Sequence, residues 1–183
     1  MKVLNGKDTD RPPIWFMRQA GRILPSYMKL KETYSFHELM NDRKLASKVT
    51  LLPIKDLEVD AAILFSDILV IPNALGLDLE FKKTGPIFNN PINELSKSSE
   101  LIFNPNKLDY IYNNIEQVIS DKDENLPLIG FCGGPLTVFL FMFKGEDVKD
   151  FRKNAIKYLY SNRKESLAIL EKITTSSIEY VKN

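Results

Sequence analysis

The feature that most constrains the fold of this chain is the alternation of short apolar runs with segments of helical periodicity. Residues 61–65 and 126–131 are apolar runs of strand length, and residues 14–17, which follow two prolines, form a third. We predict a short buried strand at each of them. Strands that alternate with helices are typical of α/β proteins with parallel strands. The sequence therefore predicts an α/β fold.

Helical periodicity fills most of the sequence between these runs. Asp42 precedes apolar residues that share one face of a helix, so we predict it as an N-cap. Residues 78–83 alternate and lead into Thr84-Gly85-Pro86, which predicts a hairpin. A helix is also predicted to begin near Pro135, because proline is favoured at the first helical position. The other predicted helices span residues 25–31, 36–55, 108–120, 148–160 and 163–181.

Length and composition narrow the classes of function. The chain of 183 residues suits a single domain over residues 1–183, although an eight-unit barrel of parallel strands takes about 250 residues. Its net charge of +1 gives no reason to expect a nucleic-acid or membrane partner. The polar residues 1–11 do not resemble a signal peptide, and the single cysteine, Cys132, suits a reducing compartment. We therefore expect a cytoplasmic location.

Two arginines, Arg18 and Arg22, lie four residues apart directly after the first predicted strand. Gly21 between them relaxes the backbone, so both guanidinium groups could reach one anionic ligand. Each can hold a carboxylate through two parallel hydrogen bonds. The alternative is a pair of surface arginines that form ordinary salt bridges, and the spacing alone does not decide between them.

An acidic residue, Asp67, follows the strand predicted at residues 61–65. A carboxylate beside a buried strand is costly for a core but well placed at the active-site end of a barrel. The alternative is an N-cap for a helical turn over residues 68–75. Gly133-Gly134-Pro135 likewise offers either backbone N–H groups for a substrate carboxylate or only a tight connection.

The other residues that could carry out chemistry are predicted to have structural roles. His37 is the sole histidine and is predicted on the surface of a helix, so that with one cysteine the chain shows no zinc site. Phe139, Phe141 and Phe143 cover every side of their helix and are predicted as core, although a wall for a flat macrocycle is a second interpretation.

Three segments carry a resemblance to a known family. The first spans residues 13–25 and contains Met-Arg-Gln-Ala-Gly-Arg at residues 17–22, the second spans residues 57–76 and contains Ile-Leu-Phe-Ser-Asp at residues 63–67, and the third reads Ile-Gly-Phe-Cys-Gly-Gly-Pro-Leu-Thr at residues 129–137. In this order and at these separations they resemble the signatures of the uroporphyrinogen decarboxylase family. The resemblance runs from about residue 12 to residue 183 and covers about half of the family's usual length.

The resemblance implies a (β/α)8 TIM barrel, of which this chain is the N-terminal part, with its cleft at the C-terminal ends of the strands. It implies conversion of uroporphyrinogen to coproporphyrinogen by loss of carbon dioxide from four pyrrole acetates in turn. The protonated pyrrole ring accepts the electrons that carbon dioxide leaves behind, so no cofactor and no metal is implied. The implied partner is the tetrapyrrole substrate, and the implied assembly at full length is a homodimer.

The resemblance also implies roles for individual residues. Asp67 matches the acid that accepts hydrogen bonds from the pyrrole N–H groups and favours the cationic intermediate. Arg18 and Arg22 match arginines that bind substrate carboxylates, with Ala20 and Gly21 in backbone contact alongside. Arg18 is also a candidate proton donor, although a guanidinium is a weak acid.

The sequence departs from the family pattern in several places. Phe141 stands where the family usually has a tyrosine that contacts substrate, Leu136 replaces a typical tryptophan, and Lys31 replaces an arginine. The missing hydroxyl at Phe141 would cost about 1.5–3 kcal/mol if it bonded a charged group. A serine and a histidine of the family's site belong to its other half, so we expect little turnover from residues 1–183 alone.

Two other functions stay open at this point. Related barrels transfer methyl groups from corrinoids and commonly use a Cys/His zinc site, which this sequence does not display. A non-catalytic half-barrel would bind porphyrinogen without releasing carbon dioxide. Zinc content distinguishes the first from a decarboxylase, and product formation distinguishes the second.

Overall fold

The computed structural model describes residues 2–82 and 84–183. Within them the chain forms two compact units. One comprises the residues up to Ser66 together with Tyr110–Gly130, and the other comprises Asp67–Asp109 and Phe131–Asn183. The helices are α1 Pro25–Thr33, α2 Phe36–Asn41, α3 Arg43–Leu57, α4 Val70–Ala74, α5 Asp109–Asp121, α6 Pro135–Phe141, α7 Phe151–Ser161 and α8 Arg163–Lys182. The strands are β1 Ala62–Ile63, β2 Leu79–Lys82, β3 Gly85–Phe88 and β4 Leu128–Ile129.

The helix predicted over residues 36–55 is divided into α2 and α3 at Asp42. Asp42 has an extended backbone, and its side chain accepts the N–H groups of Lys44 and Leu45 at 2.9 Å each. This confirms Asp42 as an N-cap, which starts a new helix rather than continuing the first. Ser35 and Glu38 close a capping box at the start of α2. The local chemistry thus explains both helix starts.

In the first unit, a parallel strand pair is held against α3. β1 pairs with β4 so that Ala62 lies opposite Leu128. Thr50 of α3 accepts the Phe65 N–H at 2.9 Å and donates to the Ala46 carbonyl at 2.8 Å, so its buried hydroxyl ties the helix to the end of β1. The parallel pair confirms the predicted α/β class. The core of this unit includes Leu24, Leu39, Val49, Ile111 and Val118.

In the second unit, a hairpin and three helices surround an aromatic core. β2 and β3 are antiparallel, with Leu79 opposite Phe88, which confirms the predicted hairpin. Lys83, the last residue of the strand predicted before the turn, lies outside the described residues. The buried rings are Phe139, Phe143 and Tyr158, at centroid distances of 5.2–6.3 Å. The core interpretation of the phenylalanine series is thereby confirmed for Phe139 and Phe143, which are buried.

The strand predicted at residues 14–17 is wrong. The segment is not part of any strand, and its backbone bond to residues distant in sequence runs from the Asp60 N–H to the Ile14 carbonyl at 2.8 Å. A single bond does not make a ladder. Its side chains are not buried either, since Trp15 is 48% and Met17 79% exposed. Apolar composition predicted burial, but a strand also needs a hydrogen-bonded partner.

The longest helix is α8, with 20 residues. Charged residues recur along it from Arg163 to Lys182. Among residues 2–82 and 84–183, no helix combines the length and the apolar character that crossing a bilayer requires.

Candidate functional site

The arginine segment of the first unit is fixed by a buried glutamine. Gln19 is fully buried; its Nε2 donates to the Ala61 carbonyl at 2.8 Å, and its Oε1 accepts the Phe16 N–H at 3.1 Å. Buried amides are costly unless they are hydrogen-bonded, and both ends of this one are. Gln19 therefore attaches the turn that carries the arginines to the start of β1.

A second anchor lies eight residues upstream of Gln19. Arg11 donates to both oxygens of Asp60, at 2.7 and 2.8 Å, and the Ile14 N–H also donates to this carboxylate at 2.7 Å. The Arg11 hydrogen bonds, followed by the Ile14 N–H, hold the pKa of Asp60 below its ordinary value. The chain from Arg11 to Gln19 is thus attached to residues 60–61 at both of its ends.

These anchors leave the two arginines in solvent. Arg18 and Arg22 are exposed, and neither forms an ion pair with any residue that the structure describes. The positive charge of Arg22 is close enough to Tyr27 to oppose, in part, the rise in the phenol pKa that burial causes. The surface salt bridges considered for these arginines are therefore not found in the described part of the chain.

The glycine between the arginines has a different role from the one predicted. Gly21 is not among the glycines with positive φ, and an added Cβ would meet only the Arg18 carbonyl oxygen, at 3.8 Å. Its backbone conformation is therefore available to other residues, and the predicted need for a relaxed backbone is wrong. Ala20 and Gly21 are half-buried, and the Gly21 carbonyl accepts the Leu24 N–H at 3.0 Å.

Asp67 begins the second unit, four residues after β1 ends. Its Oδ1 accepts the Leu69 N–H at 2.7 Å, and α4 begins one residue later with no side-chain cap. Burial raises the pKa of the Asp67 carboxyl, and the Leu69 N–H opposes this rise. Asp67 therefore shapes the turn before α4 without being its N-cap, and this single bond leaves most of the acceptor capacity of the carboxylate for a ligand.

The glycine turn after β4 packs against the residue that follows Asp67. A Cβ added to Gly133 would lie 2.5 Å from Val138 Cγ2 and 3.0 Å from Ile68 Cβ. Gly134 is the N-cap of α6 and Pro135 its first residue, as predicted. The absence of a side chain at Gly133 thus allows the two turns to approach closely within the second unit.

Phe141, the last residue of α6, is half-buried. Its ring packs on that of Phe151 at a centroid distance of 5.7 Å and an angle of 39°. Unlike the phenylalanines two residues before and after it, Phe141 therefore keeps part of its ring surface outside the core.

His37 lies exposed on α2, as predicted, and Cys132 is also exposed. Among the described residues, no three His, Cys, Asp or Glu side chains are grouped so that they could hold a metal ion.

Sequence reasoning did not assign the residues that hold the site in place. Gln19 lies inside the first motif, and no role of its own was predicted for it. The bond between Arg11 and Asp60 joins residues 49 apart in sequence and left no local signal. Neither residue type nor spacing predicts such a pair.

The described residues form a helix-rich α/β chain with a parallel strand pair, which is the architecture of part of a barrel-type protein. The family model for uroporphyrinogen decarboxylase (URO-D) matches residues 1–183. The chain belongs to this family.

The chain is similar to curated uroporphyrinogen decarboxylases from several bacteria. It is 40% identical to that of Christiangramia forsetii (100% of this chain, 54% of the relative) and 42% identical to that of Protochlamydia amoebophila (99% and 50%). It is 45% identical to that of Helicobacter pylori strain Shi470 (96% and 52%). The chain therefore spans about half the length of the curated relatives it matches.

A solved structure shares the fold. A methyltransferase from Methanosarcina mazei superposes with a TM-score of 0.71 at 18% identity, over 98% of this chain and 52% of that one. This similarity supports the predicted fold class, a helix-rich α/β chain that corresponds to about half of a barrel-type protein.

Proposed function

We propose that this chain contributes the N-terminal half of a uroporphyrinogen decarboxylase, a carboxy-lyase that converts uroporphyrinogen III to coproporphyrinogen III. The observation that carries the proposal is Asp67, a half-buried acid four residues after β1, with a raised pKa and one described hydrogen bond. Family membership and 40–45% identity to proteins named uroporphyrinogen decarboxylase support it.

The substrate carries eight carboxylates, so binding requires cations that are not already neutralised. Arg18 and Arg22 supply two of them, exposed and unpaired among the described residues. Each forms charge-assisted hydrogen bonds with a carboxylate, with Ala20 and Gly21 in backbone contact beside them. The buried Gln19 fixes the conformation of this segment, so less conformational entropy is lost when the substrate binds.

Asp67 acts on the reacting pyrrole ring. Its carboxylate accepts hydrogen bonds from pyrrole N–H groups, and its negative charge stabilises the cation formed when a pyrrole carbon is protonated. The bond to the carboxyl carbon then breaks, its electron pair enters the ring, and carbon dioxide leaves. The side-chain carbon then takes a proton and becomes a methyl group, and the ring carbon loses the proton that it took up first, so that one proton is consumed for each carbon dioxide released. Arg18 is the candidate donor for the first proton.

The same proposal covers the assembly. We propose that residues 1–183 form one domain that, with the remaining half, completes a (β/α)8 barrel, and that the full protein is a cytoplasmic homodimer. The support is the family membership together with the parallel pair of β1 and β4. The exposed side chains of residues 14–17 are consistent with burial by a neighbouring barrel strand.

The decisive test is Asp67→Asn, which keeps the shape of the side chain and removes its charge. In the full-length protein that contains these residues, we expect formation of coproporphyrinogen to fall by about 100-fold or more, the scale of losing one electrostatic stabiliser of a transition state. Asp147→Asn, an exposed aspartate of the same unit, is the matched control. Unchanged turnover in Asp67→Asn, with both variants folded by circular dichroism, would remove Asp67 from the mechanism.

A further inference from the structure

Beside Phe141, two cations approach one aromatic ring. The Lys144 Nζ lies 5.9 Å and the Arg152 Cζ 5.4 Å from the centroid of the Phe151 ring, which packs on Phe141. We call Phe141, Lys144, Phe151 and Arg152 the Phe151 cluster. All four residues belong to the second unit.

The backbone holds Lys144 firmly in this cluster. Its N–H donates to the Phe141 carbonyl at 2.8 Å, and its carbonyl accepts the Phe88 N–H at 2.8 Å. An added Cβ at Gly85 would lie 3.3 Å from the Lys144 ammonium, so the side chain extends along the hairpin turn. The position of the ammonium relative to Phe141 therefore follows from α6 and the hairpin together.

Neither cation of the cluster is neutralised by a described residue. Glu146, two residues after Lys144, forms its ion pair with Lys82 at 2.6 Å. Lys144 and Arg152 form no salt bridge with residues 2–82 or 84–183. A cation over a ring at an exposed site gains far less than a desolvated carboxylate partner can supply.

The location of Arg152 is also unfavourable for its own helix. It lies in the first turn of α7, which contains no acidic residue. The N-cap of this helix, Asp150, makes no side-chain hydrogen bond to it. Cations in the first turn oppose the helix dipole, whereas anions there are stabilised. An arginine at this position favours the binding of an anion over the stability of the helix.

We propose that Lys144 and Arg152 form a subsite for carboxylate side chains of the tetrapyrrole, next to the exposed part of the Phe141 ring. This inference rests on the proposed function and adds two cations to those of the arginine segment. The Phe151 ring separates the cations from the core and provides a flat surface on which the macrocycle can pack. Either an acetate or a propionate supplies the carboxylate.

The test is the dissociation constant of uroporphyrin I, the oxidised macrocycle with eight carboxylates, measured by fluorescence titration of the chain. We expect Lys144→Gln and Arg152→Gln each to weaken binding about tenfold, the scale of one hydrogen bond to a charged group. Lys153→Gln is the matched control, because it removes the same charge from an exposed residue of α7. It should leave the constant within about twofold.

The two sources of carboxylate are separated with coproporphyrin I, which keeps the propionates and lacks the acetates. A tenfold loss for both porphyrins assigns the subsite to propionates, and a loss for uroporphyrin I alone assigns it to acetates. Equal constants for wild type and both cluster variants would overturn the subsite and leave the proposed function standing. Failure of the wild type to bind either porphyrin would instead count against the proposed function, and the subsite with it.

Discussion

Gly133 offers a sharp test of how the second unit is packed. In Gly133→Ala the new methyl group would lie 2.5 Å from Val138 Cγ2 and 3.0 Å from Ile68 Cβ. Real Cβ contacts essentially never reach 2.5 Å, and Val138 is fully buried, so it has no open space to enter. Overpacking of this kind costs about 1–3 kcal/mol. The lower entropy of the unfolded alanine chain offsets about 0.4–1 kcal/mol. We expect a net loss of about 1–2 kcal/mol.

Urea denaturation followed by circular dichroism measures this loss, with Gly130→Ala as the control. An added Cβ at Gly130 meets nothing within 4 Å, so that variant should be as stable as wild type or slightly more stable. Val138→Ala removes the methyl group that clashes. The double variant should therefore be less destabilised than the two single variants predict together, by at least 0.5 kcal/mol on the usual scale of contacting residues.

Additive effects of Gly133→Ala and Val138→Ala would refute this reasoning. So would a Gly133→Ala protein as stable as Gly130→Ala. The clash also reaches Ile68, the neighbour of Asp67, so Gly133→Ala should lower decarboxylation more than its stability loss alone explains. This second readout connects the glycine turn to the proposed site.

Four further substitutions test other parts of the structure. Gln19→Leu leaves the buried Ala61 carbonyl and the part-buried Phe16 N–H without their side-chain partner and should cost about 1–3 kcal/mol in urea denaturation. Tyr158→Phe removes the bond from its hydroxyl to the Ser96 carbonyl and should cost about 0.5–1.5 kcal/mol in the same assay. Because the pKa of Asp60 is depressed in the folded chain, its contribution to stability is present at neutral pH and is lost as the pH falls through that pKa. Melting temperatures of Asp60→Asn should therefore depend less on pH below about 4 than those of wild type. Phe141→Tyr restores a hydroxyl at the proposed substrate wall and should raise kcat/KM for uroporphyrinogen by up to about tenfold.

The sequence predicted the elements whose causes are local. Asp42 was identified as an N-cap, and Pro135 as a helix start, because capping chemistry depends on one or two residues. The hairpin and the long helices α5, α7 and α8 followed from periodicity over many residues. Among the predicted helices, the one over residues 36–55 is divided into two in the structure, at the Asp42 cap that the sequence predicts.

The features that the sequence could not predict depend on contacts between residues that are far apart in the sequence. The segment 14–17 has the composition of a strand, yet its single backbone bond goes to Asp60. The salt bridge between Arg11 and Asp60 is equally non-local. Gln19 belongs to a polar motif, and its burial is explained by the hydrogen bond that its amide donates to the Ala61 carbonyl. These contacts require the fold before they can be named.

Asp67 is poorly placed for the stability of the free chain. Burial raises the pKa of Asp67, so the folded chain holds its proton more tightly than the unfolded chain does, and stability falls as the pH rises through that interval. A bound macrocycle with pyrrole N–H groups would offset this cost, because its donors favour the charged form of Asp67. Binding should therefore lower the pKa of Asp67. The pH dependence of uroporphyrin I binding should accordingly be weaker in Asp67→Asn than in wild type, which fluorescence titrations at several pH values would measure.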